Sequence, residues 1–237
     1  MKTNKKQSLI WWDKRLFFII IDIAFLYTDW YNVFKENADS REAIMDNREL
    51  IVQSALELFY ARGYDAVGVQ AIVDKAGISK PTLYYYFGSK LGLLKVLLEG
   101  GYENLESRLL PVIDQGGDIK DVLYRTAREF FDYCAGHQKF YLFMLSLFYL
   151  GRENEAYLTV APVIQRFYKL IVRIFENASS QLGNMRGRQD LFAVGFTGIL
   201  NHHVMTLSYN LAEGEEFYIS NETTYEIVHQ FMYGIYT

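Results

Sequence analysis

The stretch Ser79-Lys80-Pro81-Thr82-Leu83-Tyr84-Tyr85-Tyr86-Phe87, followed by Ser89-Lys90, gathers the side chains of this sequence best suited to hold an anionic polymer. Hydroxyls and ammonium groups donate to phosphate oxygens and reach base edges, the two tasks that duplex binding requires. Between Val69 and Lys95 four lysines (Lys75, Lys80, Lys90, Lys95) face one acid, Asp74, on a chain whose formal net charge is −4. A local basic window on an acidic chain is the electrostatic footprint that a phosphate backbone needs. The competing role for three consecutive tyrosines is core packing. Tyr85 is expected to be partly buried, because it points away from Tyr84 and Tyr86; burial of those two would require hydroxyl partners.

The elements that must position these groups are helices. Val69 to Ala76 reads as a short helix closed by Gly77, with Ile78 as a buried turn residue. Ser79 can cap the next helix, whose first turn tolerates Pro81 because its N–H groups lack intrahelical partners. Ala71, Ile72, Ala76, Ile78, Leu83 and Phe87 form the small core of this pair, leaving Ser79, Lys80, Thr82, Tyr84 and Tyr86 outside. This is a helix-turn-helix pattern, in which the first helix crosses the backbone and the second enters the major groove. Before it, Glu49 to Arg62 carries a stripe of Leu50, Ile51, Ala55, Leu58 and Phe59 and ends at Gly63. After it, Ser89 caps a longer helix toward Leu110.

The periodicity stays helical to the end of the chain. Helices are expected from Asp118 to about Cys134, His137 to Tyr149, Pro162 to Phe175, Asp190 to Leu211 and Asn221 to Tyr236. Breaks fall at Gly116-Gly117, 183–187 and 213–216. The fold class is all-α, about nine helices after Met45. It comprises an N-terminal helix-turn-helix DNA-binding domain (45–97) and a C-terminal helical effector-binding and dimerisation domain (98–237).

Arg48 to Leu97 resembles the DNA-binding domain of the TetR family of bacterial transcriptional regulators. The matching residues are Ala55, Leu58-Phe59, Gly63-Tyr64, Val69, Ile72, Ala76-Gly77-Ile78-Ser79, Thr82 to Phe87, Ser89-Lys90 and Leu93-Leu94. The resemblance implies that Tyr84, Tyr86 and Lys90 meet phosphates. It places Lys80 and Thr82 near base edges, with Gln70 a further candidate; the outward-facing Ser79 is also expected among the DNA-binding residues. Val69 stands where many members carry a phosphate-binding Thr or Ser, so that contact is not expected here. It further implies a pocket enclosed by helices near 118–135, 137–149 and 155–181, and a four-helix dimer interface from the last two helices and their mates.

Residues 98–237 independently permit that layout. Phe130, Phe131, Tyr133, Phe140, Tyr141, Phe143, Met144, Phe148, Phe167 and Tyr168 are candidates to line a large apolar pocket for a hydrophobic or aromatic small molecule. Their plain alternative is core. Arg125, Arg128 and His137 are candidate polar anchors. The helix from Asp190 has two usable faces. One is broad and apolar (Ala193, Phe196, Leu200, Val204, Leu207, Leu211). The other is a stripe of Gly195, Ile199, His202, Thr206 and Tyr209, which, with Val228, Phe231, Met232 and Ile235, is expected to form the dimer interface.

Other classes are excluded or weak. A single cysteine, Cys134, rules out an internal disulfide framework and a Cys-based zinc cluster, and reads as a buried thiol or a redox sensor. The adjacent His202 and His203 diverge by about 100° on a helix and do not share a metal. No catalytic triad, phosphate loop or zinc-protease motif occurs, so neither catalytic residues nor a cofactor are expected. Residues 1–44 stand apart, with all three tryptophans and seven basic against six acidic residues. Their apolar run Leu16–Tyr27 is too short to span a bilayer and contains Asp22. The segment reads as a surface-seeking helix, a packed extra helix, or sequence ahead of a native start at Met45. The resulting expectation is a dimeric, cytoplasmic, ligand-responsive repressor of a palindromic operator. The alternative is a DNA-binding structural or membrane-associated protein without an effector.

Overall fold

The computed structural model describes residues 47–183, 185–212 and 215–234. Residues 1–44 and Ile235, for which the sequence raised specific expectations, lie outside the described residues. The chain divides into two units, and the second, Leu50–Thr237, carries the helical architecture. The described residues form helices and no strand. They are α1 (47–62), α2 (Val69–Ala76), α3 (Lys80–Phe87), α4 (Lys90–Gln115), α5 (Ile119–Gly136), α6 (Gln138–Phe148), α7 (Glu155–Asn177), α8 (Gln189–Asn210) and α9 (Asn221–Tyr233).

Caps written in the sequence set most boundaries. Ser79, Ser89, Asp118, Asn154 and Ser220 each accept a hydrogen bond from a backbone N–H of the first turn of α3, α4, α5, α7 and α9, satisfying donors that have no partner within the helix. Two helices run past prolines at the boundaries expected from the sequence. Pro111 lies in the last turn of α4, which continues to Gln115. Pro162 lies inside α7, which starts at Glu155 because Asn154 caps it there.

Ile51, Ala55, Leu58 and Phe59 of α1 are buried as the periodicity predicts, but Leu50 is exposed. They pack with Ile72, Ala76, Leu83, Phe87, Leu93 and Leu94 into a core that continues along α4 through Leu97, Tyr102, Leu105 and Leu109. Thus α4 runs from the helix-turn-helix into the remaining helices without a break at residue 97. It approaches α5 and α6 closely at Gly101, whose carbonyl accepts from the Tyr133 hydroxyl at 2.6 Å. A Cβ there would fall 2.1 Å from the Phe140 ring. Along its other side α4 is clamped to α7: Arg166 bridges Glu99 (2.7 Å) and Glu106 (2.9 Å) and lies 4.5 Å from the Tyr102 ring centre.

Candidate functional site

The α2–α3 pair carries the residues expected to read DNA. Gly77 adopts the left-handed conformation (φ 66°) that turns the chain between them, one a β-carbon disfavours. Ile72, Ala76, Leu83 and Phe87 are buried beneath, Ala71 and Ile78 partly so. Ser79, Lys80 and Tyr84 are exposed, and Thr82 and Tyr86 half-buried. The Ser79 and Thr82 hydroxyls hydrogen-bond to each other at 2.8 Å, and Gln70 Nε2 donates to Asp74 at 2.6 Å. Tyr85 departs from expectation. It is 81% exposed, its ring edge-on to Tyr86 at 5.2 Å, because on so short a helix Leu83 and Phe87 alone fill the inward face. Lys75, counted in the basic window, is paired with Glu57 at 2.7 Å and holds that carboxyl below its ordinary pKa.

Lys90 has an additional role that spacing did not reveal. Its Nζ donates to the carbonyls of Tyr64 and Val67, both at 3.1 Å, and sits 4.0 Å from the Tyr64 ring centre. These two bonds use two of its three donors. Tyr64 is 2% exposed, and its hydroxyl donates to Glu155 at 2.7 Å, while Asn154 Nδ2 donates to Asp65 at 2.9 Å. Burial, then the neighbouring Glu155 carboxylate, raises the Tyr64 pKa. The loop between α1 and α2 is therefore held on one side by the first turn of α7 and on the other by the start of α4. Phe59 extends the join, stacking on Phe143 of α6 at 5.6 Å.

The cleft that best matches the expected pocket lies among α6, α7 and α8 and encloses about 450 Å³. Tyr141, Met144, Phe148, Phe167 and Tyr168 line it, as the sequence suggested. Phe130, Phe131, Tyr133, Phe140 and Phe143 do not. Phe130 forms a second layer behind Tyr141 and Phe167 (ring centres 5.1 and 6.0 Å away), and the others are buried elsewhere in the core. No α5 residue reaches the wall, although α5 was expected to enclose the pocket. The proposed anchors hold structure instead. Arg125 binds Asp121, Gln115 and the Gly116 carbonyl. Arg128 ties Asp132 to the Ile219 carbonyl and to Thr224 of α9. His137 stacks on Tyr133 at 4.4 Å. The sequence missed Leu145, Tyr149, Tyr157, Ala161, Ile164, Gln165, Thr197 and Asn201 on the wall. Six of these lie on the two helices that face each other across the cleft, a pairing that local pattern cannot reveal. Cys134 is buried, which pushes its thiol pKa up and removes it as a reactive group.

On α8, Ala193, Phe196, Leu200 and Val204 are buried, while Leu191, Val194, Gly195, His202, Met205, Thr206 and Tyr209 are exposed and Ile199 partly so. Val228, assigned to an interface, lies in the core at 4% exposed; Phe231 is half-buried, packed on Phe196 (5.2 Å) and Phe175 (6.1 Å). Met232 is partly exposed at a groove between α5 and α9.

Comparison with known proteins agrees with this architecture. The family model described as "Bacterial regulatory proteins, tetR family" matches residues 51–97. The chain is similar to the transcriptional activator FasR of Mycolicibacterium smegmatis, at 29% identity over 65% of this chain and 68% of that one. It is also similar to the transcriptional repressor KstR2 of Rhodococcus jostii, at 26% identity over 65% of this chain and 75% of that one. Two further relatives are matched over 27% and 44% of their length. In structure it resembles the transcriptional regulator FadR from Bacillus subtilis, solved in complex with stearoyl-CoA. There the TM-score is 0.66 at 19% identity, over 79% of this chain and 99% of that one; a likeness at this identity concerns the fold.

Proposed function

This chain belongs to the TetR family of bacterial transcriptional regulators, and from that premise we propose that it is a dimeric, cytoplasmic repressor released from a palindromic operator by a hydrophobic effector. Residues 45–97 read DNA and residues 98–237 bind the effector and dimerise. Tyr84, Tyr86 and the remaining donor of Lys90 contact phosphates. Lys80, Thr82, Ser79 and, once freed from Asp74, Gln70 approach base edges. The exposed stripe of α8 around Gly195, Ile199, His202, Thr206 and Tyr209, with Met232, packs on its mate, setting two α3 helices about one helical turn of DNA apart. Repression rather than activation follows KstR2, named a repressor, over FasR, named an activator. An effector with a long hydrocarbon part follows from the aromatic wall and from the stearoyl-CoA held by the Bacillus subtilis neighbour.

The observation that carries the reading is that one helix serves both ends. Tyr157, Ala161, Ile164 and Tyr168 of α7 line the cleft, while its first turn holds Tyr64 and Asp65 beside the helix-turn-helix. A ligand that binds one position of α7 better than another shifts the two α3 helices by that difference in affinity. Genomic footprinting with the purified protein, followed by addition of long-chain acyl compounds, tests this. Discrete palindromic sites that empty on addition are expected; an absence of discrete sites refutes it.

A further inference from the structure

Accepting the effector cleft proposed above, we infer that its α8 wall selects a neutral ligand bearing a carbonyl oxygen, with Thr197 and Asn201 as the specificity-determining donors. Thr197 lines the cleft, and its Oγ1 is buried without a hydrogen-bond partner among the described residues. A buried hydroxyl left unpaired is costly and calls for a partner that the protein itself does not supply. Asn201 lies one turn further along the same helix, so the two side chains stand on one face. The Tyr141 hydroxyl donates to Asn201 Oδ1 at 2.6 Å, which fixes the amide and leaves its Nδ2 hydrogens as the unused polar group. Burial raises the pKa of the Tyr141 phenol, keeping that hydroxyl a donor. Two donors one turn apart, on a wall whose other residues except Gln165 are aromatic or aliphatic, suit one acceptor oxygen at the head of a hydrocarbon chain.

The charge of the ligand follows from the same wall. Among the described residues no Lys, Arg or His lines the cleft, so an ionised carboxylate would enter without a counter-charge, which is strongly unfavourable. A ketone, ester or thioester carbonyl has no such cost. The class assigned is therefore an alkyl ketone or acyl ester rather than a free fatty acid or a plain hydrocarbon.

Displacement of Nile red from the full-length protein by 2-decanone, decane and decanoate, which match in chain length, tests the assignment. Wild-type protein is expected to bind 2-decanone about fivefold more tightly than decane, the worth of one net hydrogen bond, and decanoate more weakly than 2-decanone. Thr197→Val keeps the side-chain shape and should narrow the preference for 2-decanone over decane, Asn201 Nδ2 holding what remains; Thr197→Ser should retain the preference in full. A Thr197→Val protein whose preference for the ketone is undiminished, or a wild type that prefers decanoate, overturns the inference while leaving the cleft as a ligand site. If the dye and all three compounds bind equally to wild type and to Ala161→Trp, which fills the cleft, the effector reading itself falls and takes this inference with it.

Discussion

Tyr64→Phe removes one hydrogen bond and nothing else. The ring remains, 5.2 Å from Phe59 and beneath the Lys90 ammonium; only the bond to Glu155 is lost. Glu155 is exposed and takes up water in its place. The loss should therefore sit near the typical net value, about 1 kcal/mol, rather than at the 1.5–3 kcal/mol of a desolvated charged bond. For a chain of this size about 1 kcal/mol corresponds to a fall in melting temperature of about 2–4 °C. Glu155→Ala instead strands the Tyr64 hydroxyl in a residue that is 2% exposed and should cost about 1–2 kcal/mol. In the double variant the two losses should overlap, giving a coupling energy of about 1 kcal/mol by urea unfolding. If this bond carries the effector signal from α7 to the α1–α2 loop, Tyr64→Phe should hold operator DNA within about threefold of wild type. The ligand-driven drop in affinity should shrink about fivefold, the equivalent of that coupling. A coupling energy under about 0.3 kcal/mol together with an unchanged ligand response would falsify the reasoning.

Lys80→Ala should weaken operator binding and lower the salt slope by about 0.9 if Lys80 neutralises one phosphate in passing, with stability unchanged, since its side chain is exposed. Lys90→Ala should lower the slope similarly but also cost about 1–2 kcal/mol in urea unfolding, because the Tyr64 and Val67 carbonyls lose their donor. Arg128→Ala should cost about 2–3 kcal/mol by breaking a network that spans α5, Ile219 and Thr224, and hydrogen exchange should then speed up first in α9. Tyr64 and Tyr141 both have pKa values raised by burial. Above about pH 10 the unfolded chain ionises these phenols while the folded one keeps them protonated, so stability should fall as pH rises from there. Alkaline urea titrations should show a shallower fall in Tyr64→Phe.

What was legible in the sequence tracks the range of the forces involved. The helix-turn-helix was readable because its determinants are local: Gly77 for the turn, Ser79 for the cap, Leu83 and Phe87 for the inward face. Tyr85 was misplaced because an eight-residue helix has room for only one buried stripe. The pocket was half readable. Aromatic richness located Tyr141, Met144, Phe148, Phe167 and Tyr168, yet Phe130 and Phe143, equally aromatic, are packed behind or beside the cleft. Which side of a helix faces a void is fixed by its tertiary partners. The join from Tyr64 to Glu155 spans 91 positions, and neither residue type marks it. The same holds for the two-sided helix α8: its apolar faces were evident, but that α9 sends Val228 and Phe231 inward depends on where α5 and α7 lie.

The central claim is that occupancy of the α6–α7–α8 cleft governs DNA binding by α3. It is tested most directly by one comparison of wild type with Ala161→Trp, a substitution within the cleft wall and remote in sequence from the reading surface. Operator affinity is measured by fluorescence anisotropy with and without a long-chain acyl ester. The account predicts a loss of at least about tenfold in wild type on adding the ester, and little change in Ala161→Trp relative to its own affinity without ester. An ester that releases both proteins equally, or neither protein binding a discrete operator, would contradict it.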